Sequence, residues 1–405
     1  MSYAADLHTH SPFAHGTSGQ LSFENLARWA RTKGIELLSS GDFTQPLWLA
    51  ETRSKLREIG DGLFEHGGVN FILGTEVNCS AEQGGRHRRV HVLVFAPGIE
   101  TAERIGKALA SKGKLDKAGR PTLRLSPRDL LQLLLEIDER CFIIPAHLWT
   151  PHFGLYGFKS GFDSLEECFG DMAGHVYAVE TGLSSEPAMN WRVPSLDCVS
   201  ILSFSDAHSL DNLGRELTVF PGQPAYDSLV ESLKAQSFKY TVEFFPEEGK
   251  YHYSGHRKCG VSLSPHDAAV DGARCPRCGG KPTSGVMQRV DDLAEREVET
   301  WLDEDGFIRA SNGRPPFKMM LSLRQIVAEA LGCGPDTKRA RAICSDLVSR
   351  LGSELAVLTS TTVADIAAVA GERVAEGVAR VRSRDISIEP GYDGRYGRVS
   401  IWPEP

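Results

Sequence analysis

Nine side chains able to ligate metal ions lie along the first 210 residues: His8, His10, His15, Asp42, Glu76, His91, His147, Asp206 and His208. Each stands at or near the end of an apolar run. On extended backbone, residues two apart point to the same side, so His8 and His10 can grip one ion together, and Asp206 with His208 repeats the arrangement. Glu76 can bridge two ions through its two oxygens. Imidazole and carboxylate ligation suits zinc, manganese or iron, with magnesium admitted by the carboxylates. A multinuclear metal centre is the expected chemistry, hydrolysis the expected reaction class, and Asp206, His10 and Glu76 its expected catalytic residues.

These residues must be carried to one place by regular structure. Short β-rich runs at residues 35–40, 69–74, 90–96, 141–146, 176–180 and 199–204 predict buried strands. Helical stretches at 22–33 and 126–138 lie between them, the second opening with Ser126 as cap and Pro127 in the first turn. Alternating strands and helices imply a parallel sheet or barrel, and the candidate ligands follow strands, the edge where α/β barrels build active sites. The expected division is 1–245 for this metal-binding part, 246–308 for a cysteine-bearing module with a following acidic helix, and 309–405 for a helical region. That last region includes two helices joined at Gly371, a helix-hairpin-helix-like pattern whose turn amides can hold a phosphate. Residues 388–401 read as a glycine-turned hairpin.

The cysteine-bearing module contains Cys275-x-x-Cys278, a metal knuckle, with Cys259 upstream. His256, three residues before Cys259, completes a four-ligand structural zinc site, with His266 as its competitor. The remaining cysteines, Cys79, Cys141, Cys168, Cys198, Cys333 and Cys344, read as packed thiols, which fits a reducing compartment. No apolar run is long enough to span a membrane and the first residues lack a signal peptide's basic start, so a cytoplasmic, nucleoid-associated location is expected.

The net charge is -8, yet residues 250–290 hold seven basic against two acidic side chains, and 309–350 hold eight against three. These islands are either solvated faces or a footprint for a phosphate backbone, within which Arg257, Lys258 and Arg277 would make contacts. Nearer the ligands, Arg88, Trp149, Glu180, Asn190, Trp191 and Arg192 lie on segments able to stack on or hydrogen-bond to a base turned out of a duplex. Plain loop packing is the alternative for each.

The ordered ligand set resembles that of the polymerase and histidinol phosphatase (PHP) family, which implies a deformed seven-stranded α/β barrel with two or three metals that hydrolyses phosphoesters. Asp42-Phe43 departs from the family's Asp-His, which favours two ions over three. Longer segments are similar to the endonuclease Q family: Gly41-Asp-Phe-Thr44, Ala146-His-Leu-Trp-Thr-Pro151, Glu180-Thr-Gly-Leu-Ser-Ser185, Ser203-Phe-Ser-Asp-Ala-His208, Gly255-His-Arg-Lys-Cys259, Arg314-Pro-Pro-Phe-Lys318 and Pro390-Gly-Tyr-Asp-Gly394. That resemblance implies a DNA repair endonuclease cutting 5′ of deaminated bases (uracil, hypoxanthine, xanthine) and abasic sites, in double- or single-stranded DNA, by base flipping. Replication or repair proteins are its expected protein partners. A PHP-type small-molecule phosphatase and a non-catalytic DNA-binding scaffold are the alternatives.

Overall fold

The structure, a computed structural model, describes residues 1–270 and 274–402. Residues 271–273 of the cysteine-bearing module lie outside it. The expected strands form, most of them shorter than their apolar runs. Ser2–Asp6 pairs in parallel with Leu37–Ser39, which pairs in parallel with Val69–Gln83. That long strand then turns back on itself. Gly84 and Gly85, at φ 59° and 71°, make a two-residue hairpin into Arg86–Ala96, and the ladder runs from Leu73↔Ala96 to Gln83↔Arg86. Phe142–Pro145 adds antiparallel to Arg86–Ala96, and Ala178–Glu180 pairs in parallel with Ser200–Leu202.

These seven strands follow one another in order, but their ladders do not close a barrel among the described residues. Single hydrogen bonds between chain segments past the strand ends span the two gaps. At one, Leu148 donates to the Glu180 carbonyl at 2.9 Å; at the other, Ala207 donates to the His8 carbonyl at 3.2 Å. Two features keep the expected deformed seven-stranded barrel from closing as a ring of ladders. The Val69–Ala96 hairpin is antiparallel. Leu217–Pro221 occupies the outer edge of Ser2–Asp6 and extends the sheet instead. Beyond it come Tyr240–Glu243, Phe317–Met319, Ile308–Ala310 and Thr300–Leu302, giving a mixed sheet of thirteen strands.

This extension crosses the division expected at residue 308. The acidic helix expected after the cysteines is helical only over Val286–Leu293; Thr300–Leu302, with exposed Trp301, is strand. Phe23–Lys33 and Pro127–Ile137 are helices as expected, the second capped by Ser126 as read and the first by Ser22, and they bury Phe23, Leu26, Leu130 and Leu134 against the sheet. Five helices between Leu323 and Arg382 pack into the same core, and Ser387–Glu389 with Arg398–Ser400 forms the expected hairpin. Cys79, Cys141 and Cys168 are buried, whereas Cys198 is exposed. Among the described residues, no helix is long and apolar enough to cross a membrane.

Candidate metal centre

The sheet delivers its ligands from both strand ends and strand interiors. His8 and His10 follow Ser2–Asp6 on backbone kept extended by the Thr9–Ala207 bridge, so both rings face inward while Thr9 Oγ1 turns the other way to the Ser39 carbonyl. Glu76 and His91 lie within paired strands, diagonal to each other across the Glu76↔Leu93 and Asn78↔His91 pairs. His147 and Asp206 follow Phe142–Pro145 and Ser200–Leu202.

Two ligand groups result, and Glu76 belongs to both. Its Oε2 lies 3.6 Å from His8 Nε2 and 3.4 Å from His10 Nε2, with Asp206 Oδ1 at 3.3 and 3.0 Å from the same nitrogens. Its Oε1 lies 2.7 Å from His91 Nδ1 and 3.2 Å from His147 Nε2. All six residues are buried or nearly so. Burial alone would push the Glu76 and Asp206 carboxyls up. The surrounding imidazoles outweigh it and hold both well below the usual carboxylate range. His91 is also driven down, to about 4, in its case mainly by burial.

The donor set fits divalent cations. His8 Nε2 is buried, has no hydrogen-bond partner, and points between two carboxylate oxygens. A buried polar atom in that position needs a partner, and a cation between the imidazole and the acids supplies one.

Carboxylates behind the ligands set their orientation. Glu180 receives His8 Nδ1 at 2.9 Å and the His147 backbone amide at 2.6 Å. Asp42 receives His10 Nδ1 at 3.1 Å and the amide and hydroxyl of Ser11 at 2.7 and 2.6 Å. Asp42, expected as a direct ligand, thus stands behind His10 and is in neither ligand group. Phe43 is core, and Gln45 caps the helix Pro46–Lys55. His208 packs its ring 4.4 Å from that of His10 at the half-exposed rim, and His15 is exposed; neither enters a ligand group. Asp42, His147 and Asp206 adopt left-handed backbone, at φ 47°, 32° and 46°. A conformation that non-glycine residues avoid recurs at three positions of one site.

A second cluster stands apart. One atom each from His256, Cys259, Cys275 and Cys278 falls within 4.8 Å of all the others. The exposed His266 is not among them. Three sulfurs and one imidazole are a fitting set for structural zinc. The local apolar support is small: Val261, Leu263, Ala268 and Cys275.

The "MJ0043 C-terminal domain" family model matches residues 322–385. The uncharacterised protein YqxK of Bacillus subtilis is 28% identical over 92% of this chain and 91% of its own length. The uncharacterised protein MJ0043 of Methanocaldococcus jannaschii is 28% identical over 63% of this chain, which spans only 32% of that protein's length. Among solved structures, the lesion-specific endonuclease PfuEndoQ of Pyrococcus furiosus superposes with a TM-score of 0.86 at 29% identity, covering 99% of this chain and 95% of its own. An endonuclease Q in complex with a 27-mer duplex carrying an abasic lesion at the active site superposes at 0.85 with 30% identity, covering 100% and 97%. The chain belongs to the endonuclease Q family.

Within this endonuclease Q fold, six residues expected at a lesion are committed elsewhere. Trp149 is buried, its Nε1 donating to Asn190 Oδ1 at 2.8 Å, and Asn190 is itself buried and donates to the Glu186 carbonyl. Trp191 packs on Phe317, with ring centres 5.6 Å apart. Arg192 pairs with Asp291 and Glu297. Arg88 is buried over the Phe162 ring, bonded to Glu167 and the Gly161 carbonyl. Glu180, as described, orients His8. These placements share one cause: the segments fold inward and spend their polar atoms on one another. Arg257, Lys258 and Arg277 remain exposed, as a phosphate contact requires.

Sequence reasoning missed Arg120, whose Nη1 lies 2.9 Å from Glu76 Oε2, and Arg215, whose Nε donates to the Ser205 carbonyl beside Asp206. It also missed Phe153, half-exposed and stacked on His91 at 4.4 Å. Its position six residues after His147 was the only signal.

Proposed function

We propose that the chain is a metal-dependent DNA repair endonuclease that hydrolyses the phosphodiester 5′ of a deaminated base (uracil, hypoxanthine or xanthine) or an abasic site. The observation that carries this reading is the division of the Glu76 oxygens between two ligand groups, an arrangement suited to in-line displacement at a phosphate. Family membership supports the lesion specificity, since one solved relative is complexed with duplex DNA bearing an abasic lesion at its active site.

Divalent cations held by His8, His10, Glu76, His91, His147 and Asp206 would supply Lewis acidity to the attacked phosphate. Glu180 and Asp42 fix the imidazoles in place. His256, Cys259, Cys275 and Cys278 would hold a structural zinc, and the module so ordered would present Arg257, Lys258 and Arg277 to the backbone. The helices from Leu323 onward, with the Gly371 turn at φ 87°, add a further phosphate contact. In this reading the third part of the chain begins after Met319, where the sheet extension ends, rather than at residue 309. A flipped nucleotide meets Phe153 and the neighbouring exposed His152, whose ring lies 6.2 Å from that of Phe153, rather than the buried tryptophans.

The test uses purified full-length protein, Mg²⁺, Mn²⁺ or Zn²⁺, and end-labelled duplexes carrying one uracil, hypoxanthine, xanthine or abasic site. The expected result is a single metal-dependent cut on the 5′ side of the lesion and none in the undamaged duplex. Intact lesion duplexes together with rapid hydrolysis of a small phosphate ester would overturn it in favour of a phosphatase.

A further inference from the structure

Segment 111–124 carries Lys112, Lys114, Lys117, Arg120 and Arg124 against the single acid Asp116, in an otherwise acidic part of the chain. Its far end is fastened beside the metal centre. The Gly119 amide donates to the Phe13 carbonyl at 3.0 Å, the Asn78 amide donates to the Pro121 carbonyl at 2.9 Å, and Thr122 and Leu123 pair with Asn78 and Cys79. Gly119 passes so close to Asp42 that a Cβ would fall 2.2 Å from Asp42 Oδ2, an approach open only to glycine. This anchoring sets Arg120 at the edge of the ligand cluster. Its side chain is 29% exposed, while the Glu76 side chain beneath it is fully buried.

We propose that Arg120 binds the attacked phosphate of the DNA substrate, with the exposed Lys114 and Lys117 reaching neighbouring phosphates. The inference rests on the nuclease reading above. A guanidinium offers five N–H donors in a planar fork, and Glu76 occupies one face of it. Both Glu76 oxygens also belong to ligand groups, so cations taking them compete with Arg120 and free the fork. It then stays charged at the mouth of the site, with a geometry that matches two phosphate oxygens as lysine does not. The rival is that Arg120 only seats Glu76.

Arg120→Gln and Arg120→Lys in the full chain separate the two. Three quantities are read: the single-turnover cutting rate in Mn²⁺, the bound divalent metal, and affinity for abasic duplexes whose target linkage is a charged phosphorothioate or a neutral methylphosphonate. The parent should prefer the charged linkage. Arg120→Gln should keep its metal, cut about 100-fold more slowly, and narrow that preference about 10-fold, as loss of a charge-assisted contact requires. Arg120→Lys, which keeps the charge but not the fork, should fall between. An unchanged preference, or metal loss as severe as in Glu76→Gln, overturns the proposal. If the parent cuts no lesion-bearing duplex, the nuclease reading fails and this one with it; a competent parent with an unaffected Arg120→Gln sinks this one alone.

Discussion

The two ligand clusters among the described residues are built on opposite plans. Around Glu76 the ligands come from residues 8 to 206, lie deep in the sheet, and are held by carboxylates that are themselves hydrogen-bonded. Around Cys275 they come from residues 256 to 278, sit near the surface, and are backed by a handful of apolar side chains. In the first case the fold makes the site; in the second the site must make the fold, because so small a core cannot order its chain alone. Metal removal should therefore leave the sheet standing but loosen the module.

The most damaging change should be Asp206→Asn. It should lower lesion cutting about 1,000-fold or more while leaving lesion-duplex affinity and melting behaviour near those of the parent, because it removes a ligand from a fold that does not depend on it. Near-normal cutting by this variant and by His10→Ala together would remove the cluster from the reaction. Glu180→Gln sharpens the same side of the contrast. It keeps the volume but weakens the grip on His8 and His147, and should cost about 10- to 100-fold in metal affinity or cutting, read by metal titration and single-turnover rate. An effect confined to base preference would return Glu180 to the lesion.

On the other side, Cys275→Ser with Cys278→Ser should remove one zinc per chain by elemental analysis and open residues 250–285 to protease, with the metals at Glu76 retained. Unchanged zinc content would break the assignment, and simultaneous loss of both metal sets would show that the two clusters are not independent. The mildest test is Arg257→Glu with Lys258→Glu and Arg277→Glu, which spares the ligands. Three lost phosphate contacts should flatten the log–log salt dependence of duplex binding by about 2.7. A slope identical to the parent's would leave the module a clip between parts of the chain.

The two clusters also differed in how plainly the sequence announced them. Spacing alone exposes Cys259, Cys275 and Cys278 and narrows the fourth ligand to His256 or His266, because their geometry is local. The pairs His8/His10 and Asp206/His208 are legible from strand periodicity, although His208 ends at the rim. Glu180 is not legible as a partner of His8, since 172 residues separate them and only the folded sheet brings them together. The burial of Trp149 and Trp191 is not legible for a related reason: an aromatic following a ligand looks like a binding surface until the chain direction is known. Asp42 looked like a ligand because its residue type permits it, and the Ser11 amide that turns it toward His10 is invisible in the pattern. The strand–helix alternation showed the architecture, but three-residue strands such as Leu37–Ser39 and Ala178–Glu180 carry too little signal to say whether a ring closes.

The left-handed backbone at Asp42, His147 and Asp206 has a consequence for how this protein evolves. Glycine would relax each position, and the strain of keeping a side chain there is about 1–3 kcal/mol apiece. Heat resistance and catalysis therefore pull these codons in opposite directions. A library screened only for survival at high temperature should collect glycine at these positions and return proteins that are sturdy and silent, and a duplicated copy released from repair duty should drift the same way.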